Sequence, residues 1–572
     1  MTPSRKSKMV VVTDSNFFDW LPTLRKTLVH SDFIAIDFEF LGLDTAAISL
    51  HDTTEARYRI LRETTIKHRP CQLGITFFKQ TENLGYQSDI YTIPLFQRFG
   101  DNETKVSFSS LRFLLNNKLN LNQVFTDGVE FCTRREYKMF AKALKKGIAS
   151  SYLSKQIQMH IELLKVMLHE KCYRTELDEN PLTTEEPMQP VKLDIKPNAY
   201  VSLKTMRGLC NFEICVIIHE LTMSFPYFQF KLDDKNASLN VTKLSYLMTE
   251  RKNLIMTRDR CSEAYEGISA ILEGAMIGKK PVVGHNSLLD AMYTYHYFFD
   301  NLPDKYESFK ANFNLLFPKF IDTKLLAQVL RPELPGVGDS LERLGDYFST
   351  EKSNKTVPPK LRGFIEPWIN QVDDESQNVY HNAGFDSYIT GEIFLKLAHT
   401  YINRKNEFNN ESIEFNRIIQ YLEIPIQNRL PFQLMDMSCC HLSGEDVKGS
   451  RPDIIRIVRK DRLPIDEIEF QHQEKVLRSL MANYQFDMER SMDRTQILLA
   501  TNTPGSYAFL CEKFSKDSSL IPLDELESNM KWTFEQRQTA WRNFKDVTMS
   551  VVGFTQQSLS RQVNKMELIL DT

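Results

Sequence analysis

Five residues capable of acid, base or metal-binding chemistry stand out by their spacing. Asp37 and Glu39 are two residues apart in an apolar segment, so a β-strand would place both carboxylates on one face. Asp290 closely follows the segment VVGHN, and His381 precedes Asp386 by five residues at the start of an amphipathic helical pattern. Because buried carboxylates are costly unless a cation compensates them, these residues predict a metal site.

In chain order, the pattern is D-x-E on a strand, an aspartate at a helix start and H-x4-D on a late helix. This is the pattern of DEDD 3′→5′ exonucleases in its histidine variant. We expect Asp37, Glu39, Asp290 and Asp386 to hold two Mg²⁺ ions, for which Mn²⁺ could substitute. His381 is the expected general base. Gly384 is expected to let the chain turn, so that His381 lies over the carboxylates.

The elements that position these residues fall into two separated stretches. In residues 10–140, strand-like runs at Phe33–Phe38, Cys71–Phe78 and Ile90–Phe96 alternate with helical segments. Residues 141–268, which include a compact segment at Met206–Leu232, are interpreted as an inserted small α/β domain with linkers. Residues 269–445 restore the alternation. The sequence therefore predicts an α/β nuclease domain whose two halves close one sheet.

The C-terminal part has a different order of elements. We expect strands at Ile454–Val458, Gln485–Arg490, Gln496–Thr501 and Ser506–Glu512, with a helix at Glu474–Tyr484. This order predicts a small RRM-like domain over residues 450–520. Residues 521–572 are predicted to form a helical tail.

Composition limits the class of protein. A chain of 572 residues with 42% hydrophobic and 25% charged residues is expected to form several soluble globular domains. The net charge of −3 gives no overall basic field, so any nucleic-acid site must be local. Basic runs at the N-terminus, at 134–146 and at 451–462 are interpreted as solvated faces. Scattered cysteines, with no CxxC pair, signal peptide or membrane span, predict a cytoplasmic protein, with the nucleus as the alternative.

At these residues the sequence resembles the poly(A)-specific ribonuclease family, which includes relatives that trim small-RNA precursors. The similarity is collinear over most of residues 32–437. It includes FIAIDFEFLGL (33–43), TEARYRILR (54–62), QVFTDGVEF (123–131), VVGHNSLLDAMYTYHYF (282–298), LFPKFIDTKLLA (316–327) and HNAGFDSYITGEIF (381–394).

The resemblance implies an RNase H-like DEDDh nuclease domain interrupted by a small nucleic-acid-binding domain, a C-terminal RRM-like domain and a homodimer. Phe40 matches an aromatic residue that the family places near the terminal nucleotide, and His285, Asn286 and Lys324 are further candidates for RNA contacts. The expected activity is 3′→5′ exoribonuclease cleavage of single-stranded RNA with release of 5′-mononucleotides. The substrate would be either small-RNA precursors bound to Argonaute or Piwi proteins, or poly(A) tails.

The sequence also departs from the family. Cys215, not arginine, stands four residues before His219, so the Arg-x3-His spacing of the family's inserted domain is missing. The deadenylase branch stacks a tryptophan on the mRNA cap, but no tryptophan occurs between Trp368 and Trp532. Phe486 and Ser491 occupy that region instead, so we expect no cap recognition. The C-terminal membrane anchor of trimmer-type relatives is not expected from Val551–Thr572.

Three alternative functions remain at this point. An mRNA deadenylase would share the whole catalytic pattern. A DNA exonuclease of the proofreading type would share the acids, although the flanking similarity argues against it. A catalytically silent RNA-binding scaffold is disfavoured because all five chemical residues are present.

Overall fold

The computed structural model of this chain describes most of the nuclease stretches and parts of the other regions. The described residues are 9–43, 48–49, 52–98, 104–176, 191–193, 209–233, 238–244, 249–350, 353, 357–362, 381–404, 411–432, 437–448, 455–458, 463–480, 486–491, 494–501, 505–510 and 525–527.

The central element is a six-stranded mixed sheet built from both nuclease stretches. Its strands are β1 (Met9–Val11), β2 (Phe33–Phe40), β3 (Pro70–Gln80) and β4 (Tyr86–Pro94) from the first stretch. After β5 (Val191–Leu193), β6 (Phe228–Asp233) and β7 (Ser238–Lys243) of the intervening region come β8 (Val282–Gly284) and β9 (Phe320–Asp322). The order is β1-β4-β3-β2-β8-β9. Strands β2, β3 and β4 are antiparallel neighbours, whereas β8 and β9 join in parallel. The mixed sheet with flanking helices confirms the predicted α/β class.

Helices cover both faces of this sheet and bury two separate apolar clusters. The helices of residues 17–145 are α1 (Phe17–His30), α2 (Thr54–Lys67), α3 (Phe108–Asn116), α4 (Leu121–Asp127) and α5 (Arg134–Lys145). Those of the intervening region are α6 (Lys155–Glu176), α7 (Asn211–Ser224) and α8 (Glu250–Glu266). The second nuclease stretch adds α9 (Ser269–Ile277), α10 (Leu288–Thr294), α11 (Tyr306–Leu316), α12 (Thr323–Val329), α13 (Leu341–Ser349), α14 (Ala383–Asn403) and α15 (Phe415–Leu422). Alternation along β2 sends Ile34, Ile36 and Phe38 into one cluster and Phe33 and Ala35 into the other.

Residues between the two stretches form their own core. Strands β5, β7 and β6 make a three-stranded sheet, and α5 to α8 contribute to an apolar cluster that includes Phe140, Leu164 and Phe212. A second small sheet, β10 (Arg429–Pro431), β11 (Met437–His441) and β12 (Val447–Lys448), follows α15.

The C-terminal region contains a four-stranded antiparallel sheet in the order β14-β15-β13-β16. Its elements are β13 (Ile455–Val458), α16 (Glu467–Leu480), β14 (Phe486–Arg490), β15 (Gln496–Thr501) and β16 (Glu525–Glu527). The strand predicted at Ser506–Glu512 is wrong, because residues 505–510 are helical. Since β15 and β16 run parallel on either side of β13, the chain needs a crossover between them.

The helical tail predicted for 521–572 is also contradicted at one place. Residues 525–527 form strand β16, which pairs with β13. The rest of that segment lies outside the described residues. Among the helices of the described residues, none has the length and apolar character needed to cross a membrane.

Helix α14 approaches the sheet closely because β3 has a glycine where they meet. A Cβ atom on Gly74 would lie 1.7 Å from the carbonyl oxygen of Ala383. The contact is reinforced where the Ala383 N–H donates to Gln72 Oε1 at 3.0 Å and where Thr76 and Ser387 hydroxyls meet at 2.8 Å. The start of α14 is therefore fixed against β3.

We predict that Gly74→Ala lowers stability by about 1–3 kcal/mol, because the new methyl group must push α14 off the sheet. Thermal unfolding would measure the loss, and nuclease activity should fall with it since α14 carries Asp386. Gly85→Ala is the matched control, because its new Cβ would meet only the side chains of Asn83 and Thr81, at 3.3 Å. Equal melting temperatures for the two variants would contradict this account of the interface.

Candidate active site

Strand β2 positions the first two acids of the site. Asp37 and Glu39 lie opposite Gly74 and Gln72 of β3 and therefore on the face toward α14. Glu39 is 8% exposed. Strand β8 pairs with β2 at Ile34 and Ala35, and within the described residues no strand pairs with the β8-side edge of β2 beyond this point.

Helix α10 brings Asp290 to that edge. The Phe38 N–H donates to Asp290 Oδ1 at 3.2 Å. Asp290 lies in the first turn of α10, where the helix dipole favours a negative charge. The start of α10 is held by the buried Asp322, which accepts hydrogen bonds from the N–H and hydroxyl groups of Ser287, both at 2.7 Å. The short β8 thus leaves space for Asp290 beside β2, and the hydrogen bonds to Asp322 fix the start of its helix.

The start of α14 brings the last two predicted residues together. The His381 N–H donates to Asp386 Oδ2 at 2.9 Å. His381 has a positive φ of 69°, and Asn382 caps the helix by accepting from the Gly384 and Phe385 N–H groups. The turn role predicted for Gly384 is wrong. Gly384 lies inside α14, and a Cβ there would lie 1.9 Å from Thr92 Oγ1, so it permits close packing instead.

Burial raises the pKa of all four acids. Burial, followed by the charges of Asp386 and Asp290, raises the pKa of both Asp37 and Glu39 well above their usual values. Burial also raises the pKa of Asp290 to about 7, opposed by its backbone hydrogen bonds, and that of Asp386 to about 7. The four charges cannot all be present without a compensating cation.

The donor set fits such a cation. One ligand atom each from Glu39, His381 and Asp386 lies within 4.8 Å of the other two. Asp386 Oδ1 is buried and has no hydrogen-bond partner among the described residues. Carboxylate oxygens are the ligands that Mg²⁺ prefers. The residues present therefore suit a divalent metal.

His381 itself is exposed, and its ring contacts an aromatic residue that the sequence did not single out. The rings of His381 and Phe113 of α3 are 4.7 Å apart and nearly perpendicular. Partial desolvation of the ring, which Phe113 covers on one side, lowers the pKa of His381 and favours the neutral imidazole that a base requires. No spacing signal links Phe113 to the site, because it reaches His381 only through the tertiary fold.

The predicted RNA-contact residues fall in two places. Phe40 is partly buried and stacks on Tyr293 at 4.0 Å, beside the first acids. His285, Asn286 and Lys324 lie around Asp322. The N–H groups of Asn286 and Lys324 donate to Asp322 Oδ1, whereas the His285 ring is 2.9 Å from the hydroxyl of Thr323. Burial lowers the pKa of His285 to about 4, so this ring is neutral at physiological pH.

The model of the CAF1 ribonuclease family matches residues 12–394. The chain is 63% identical over 540 residues to "3'-5' exoribonuclease parn-1" of Caenorhabditis elegans, which covers 94% of this chain and 95% of that protein. The chain belongs to the CAF1 ribonuclease family.

More distant members of the CAF1 family agree with the resemblance found in the sequence. "Poly(A)-specific ribonuclease PARN" of Xenopus laevis is 26% identical over 78% of this chain and 71% of its own length. "Pre-piRNA 3'-exonuclease trimmer" of Bombyx mori is 24% identical over 68% of this chain and 71% of its own length. This CAF1-family chain is accordingly a 3′→5′ exoribonuclease, as predicted.

The raised pKa values give a prediction for the metal-free protein. An acid whose pKa rises on folding stabilises the folded state only while protonated, so stability in chelator should fall as pH increases from about 5 to 7.5. Asp290→Asn/Asp386→Asn, which cannot ionise at these positions, should lose less over the same range. At pH 7.5, Mg²⁺ should raise the melting temperature of the unaltered protein but not of the variant. Equal stabilisation of both by Mg²⁺ would place the metal elsewhere.

His381 should act on proton transfer rather than on metal affinity. We predict that His381→Ala lowers the cleavage rate by about 10²–10⁴-fold, because the attacking water loses its base. Stabilisation by Mg²⁺ should persist, and His30→Ala, at an exposed histidine, should change neither quantity. Loss of the Mg²⁺ effect in His381→Ala would instead make His381 a metal ligand, which its distance from Glu39 and Asp386 permits.

Proposed function

We propose that this enzyme removes nucleotides one at a time from free 3′ hydroxyl ends of short, uncapped, single-stranded RNAs. The observation that carries the proposal is the convergence of Glu39, His381 and Asp386, with Asp37 and Asp290 close enough to alter the acids' pKa values. This cluster lies at the end of a strand and the starts of two helices, which suits the terminal phosphodiester of a chain.

In this proposal Asp37, Glu39, Asp290 and Asp386 hold two divalent cations, Mg²⁺ or Mn²⁺. When bound, such ions supply an activated water and stabilise charge on the phosphate and the leaving oxygen. The acids' own contribution is to fix the ions' positions. Asp386 is held by the His381 N–H and Asp290 by the Phe38 N–H, so neither carboxylate turns freely.

His381 is the proposed base. Its neutral imidazole accepts a proton from the water that attacks the terminal phosphorus. The bond between phosphorus and the 3′ oxygen of the preceding nucleotide then breaks, and that oxygen takes up a proton. The products are a 5′-mononucleotide and an RNA shortened by one residue with a new 3′ hydroxyl.

Residues beside the acids are proposed to hold the terminal nucleotide. Phe40 offers a partly exposed ring next to Glu39. His285, Asn286 and Lys324 lie around Asp322, and Asn286 and Lys324 would contact the sugar and phosphate. The neutral His285 already bonds the Thr323 hydroxyl and the Asp339 backbone, so its proposed part is to hold this loop in place.

The C-terminal sheet supports a substrate without a cap. Its strand order is that of an RRM-like domain, which we propose for this region. Phe486, the aromatic residue nearest the expected cap position, is 7% exposed and belongs to the core of that sheet. Ser491 has no ring to stack. A methylated guanine therefore finds no described aromatic surface at this position.

The comparisons favour two classes of RNA. Relatives are named for poly(A) and for pre-piRNA, and the missing cap surface favours small-RNA precursors, delivered by Argonaute or Piwi proteins. A homodimer is also proposed, from the family resemblance. The mRNA deadenylase is the second candidate, since it shares the same catalytic cluster.

The 3′ end is tested with one 5′-labelled oligoadenylated RNA ending in a 3′ hydroxyl, a 3′ phosphate or a 2′-O-methyl group. Only the first should shorten stepwise to 5′-mononucleotides, because the site must admit a free end. A circular form of the RNA serves as control, and its cleavage would refute the exonuclease assignment.

The cap is tested by comparing capped and uncapped forms of the same RNA. Both should decay at equal rates, and free cap analogue should not inhibit. Faster decay of the capped form would contradict this proposal and support an mRNA deadenylase.

A further inference from the structure

Helix α5, between the first nuclease stretch and the intervening region, has an exposed basic stripe. On a helix with 3.6 residues per turn its members fall within an arc of about 100°. They are Arg135, Lys138, Lys142 and Lys145 of α5, together with its C-cap residue Lys146. The opposite side of α5 buries Phe140, Ala143 and Leu144. The stripe extends for about 16 Å along the helix.

The charges of the basic stripe are uncompensated. In the part of the chain that the structure describes, none of its five side chains makes an ion pair. Nearby acids lie on another side of the helix: Glu273 pairs with Arg134 at 3.0 Å, and Glu266 acts on Tyr137. In a chain with a net charge of −3, this uncompensated strip is a local attraction for a polyanion.

The N-terminal end of α5 lies close to the catalytic strand. Phe131, just before α5, contacts Phe298 at 5.2 Å, and Phe298 contacts Phe38 at 5.9 Å. Phe38 stands between Asp37 and Glu39 in sequence, but its ring lies in the core on the opposite face of β2. The stripe therefore lies beyond the catalytic cleft, and only an RNA long enough to pass around the sheet reaches it. Met139 and Ile148, both about half exposed, add apolar surface beside it.

Two rival surfaces for an RNA are less suitable. His219 of the intervening region is 3% exposed and contacts Thr257, so it is withdrawn from ligands. On the C-terminal sheet, Phe486 and Met488 face the core, so Asp487 and Glu489 alternate to the opposite face. Glu489 accepts a hydrogen bond from Ser49 of the nuclease domain at 3.2 Å. The two acids of β14 therefore line this face, and one of them contacts the nuclease domain.

We propose that the basic stripe of α5 binds the phosphodiester backbone of the RNA upstream of the 3′ end. This inference rests on the proposed exoribonuclease function and adds the surface that holds the body of the substrate. A short RNA would fill only the catalytic cleft, whereas a longer RNA would also reach the stripe. The stripe should therefore affect binding and not the chemical step.

The test uses the full chain and two oligoadenylates, of 4 and 24 nucleotides. Lys138→Gln/Lys142→Gln/Lys145→Gln removes three charges from the stripe. Lys26→Gln/Lys305→Gln/Lys319→Gln, at exposed lysines elsewhere, removes the same charge. KM and kcat are measured across a range of salt concentrations.

The stripe variant should raise KM for the 24-mer by about tenfold or more. The slope of log KM against log salt should fall by about 2, since each phosphate contact on a single strand contributes about 0.7. Its kcat, and both constants for the 4-mer, should match those of the control variant. An unchanged KM for the 24-mer would overturn the stripe, as would an equal loss on the 4-mer.

Hydrogen exchange on Asp290→Asn with bound 24-mer provides a second measurement. Protection is expected in α5, whereas protection in β14 and β15 without α5 would assign the RNA to the C-terminal sheet. If the unaltered protein cleaves neither RNA, the proposed function itself fails. If the stripe variant cleaves both RNAs with the same constants as the control variant, the role of the stripe is rejected and the proposed exoribonuclease function stands.

Discussion

The burial of four carboxylates around the end of β2 is the constraint on which this structure depends. Burial raises the pKa of Asp37 and Glu39, and the charges of Asp386 and Asp290 raise it further. Within the described part of the chain, no lysine or arginine pairs with any of the four. Because the described residues offer these acids no cation, the acids either stay protonated or are compensated by a bound metal ion. Stability and catalysis are therefore coupled in the same cluster.

The surrounding fold holds these charges together through features that would otherwise weaken a sheet. The short β8 leaves the Phe38 N–H without a strand partner, and Asp290 accepts it. Gly74 removes a side chain from β3, and α14 occupies the space. Gln72 then fixes the first residue of α14 by accepting the Ala383 N–H. The early end of β8 therefore lets α10 reach the acids, and the missing side chain at Gly74 lets α14 reach them.

Much of the site was predictable because strand and helix periods are local. Period-two alternation placed Asp37 and Glu39 on one face, and the family's motifs supplied Asp290, His381 and Asp386. Tertiary contacts were not predictable. Phe113 meets His381 from a helix distant in sequence, and the positive φ of His381, rather than Gly384, makes the turn. Likewise, the local pattern of Ser506–Glu512 predicts a strand, but residues 505–510 are helical. They lie in the crossover that the pairing of β15 and β16 with β13 requires.

The C-terminal sheet affects the nuclease domain through the segment that follows the catalytic strand. Ser49 donates its hydroxyl to Glu489, and its carbonyl accepts from Arg57, which is itself buried against Asp52 at 2.9 Å. Asp487 adds a negative charge that acts on the same guanidinium. Arg57 belongs to α2, so the sheet contacts a network that begins nine residues after Phe40. Breaking the buried pair of Arg57 and Asp52 would leave an uncompensated charge. We therefore expect this pair to persist, so that a shift of the C-terminal sheet would also move α2. These contacts tie the C-terminal sheet to the nuclease domain, which agrees with our proposal that the RNA is bound by the catalytic cleft and α5.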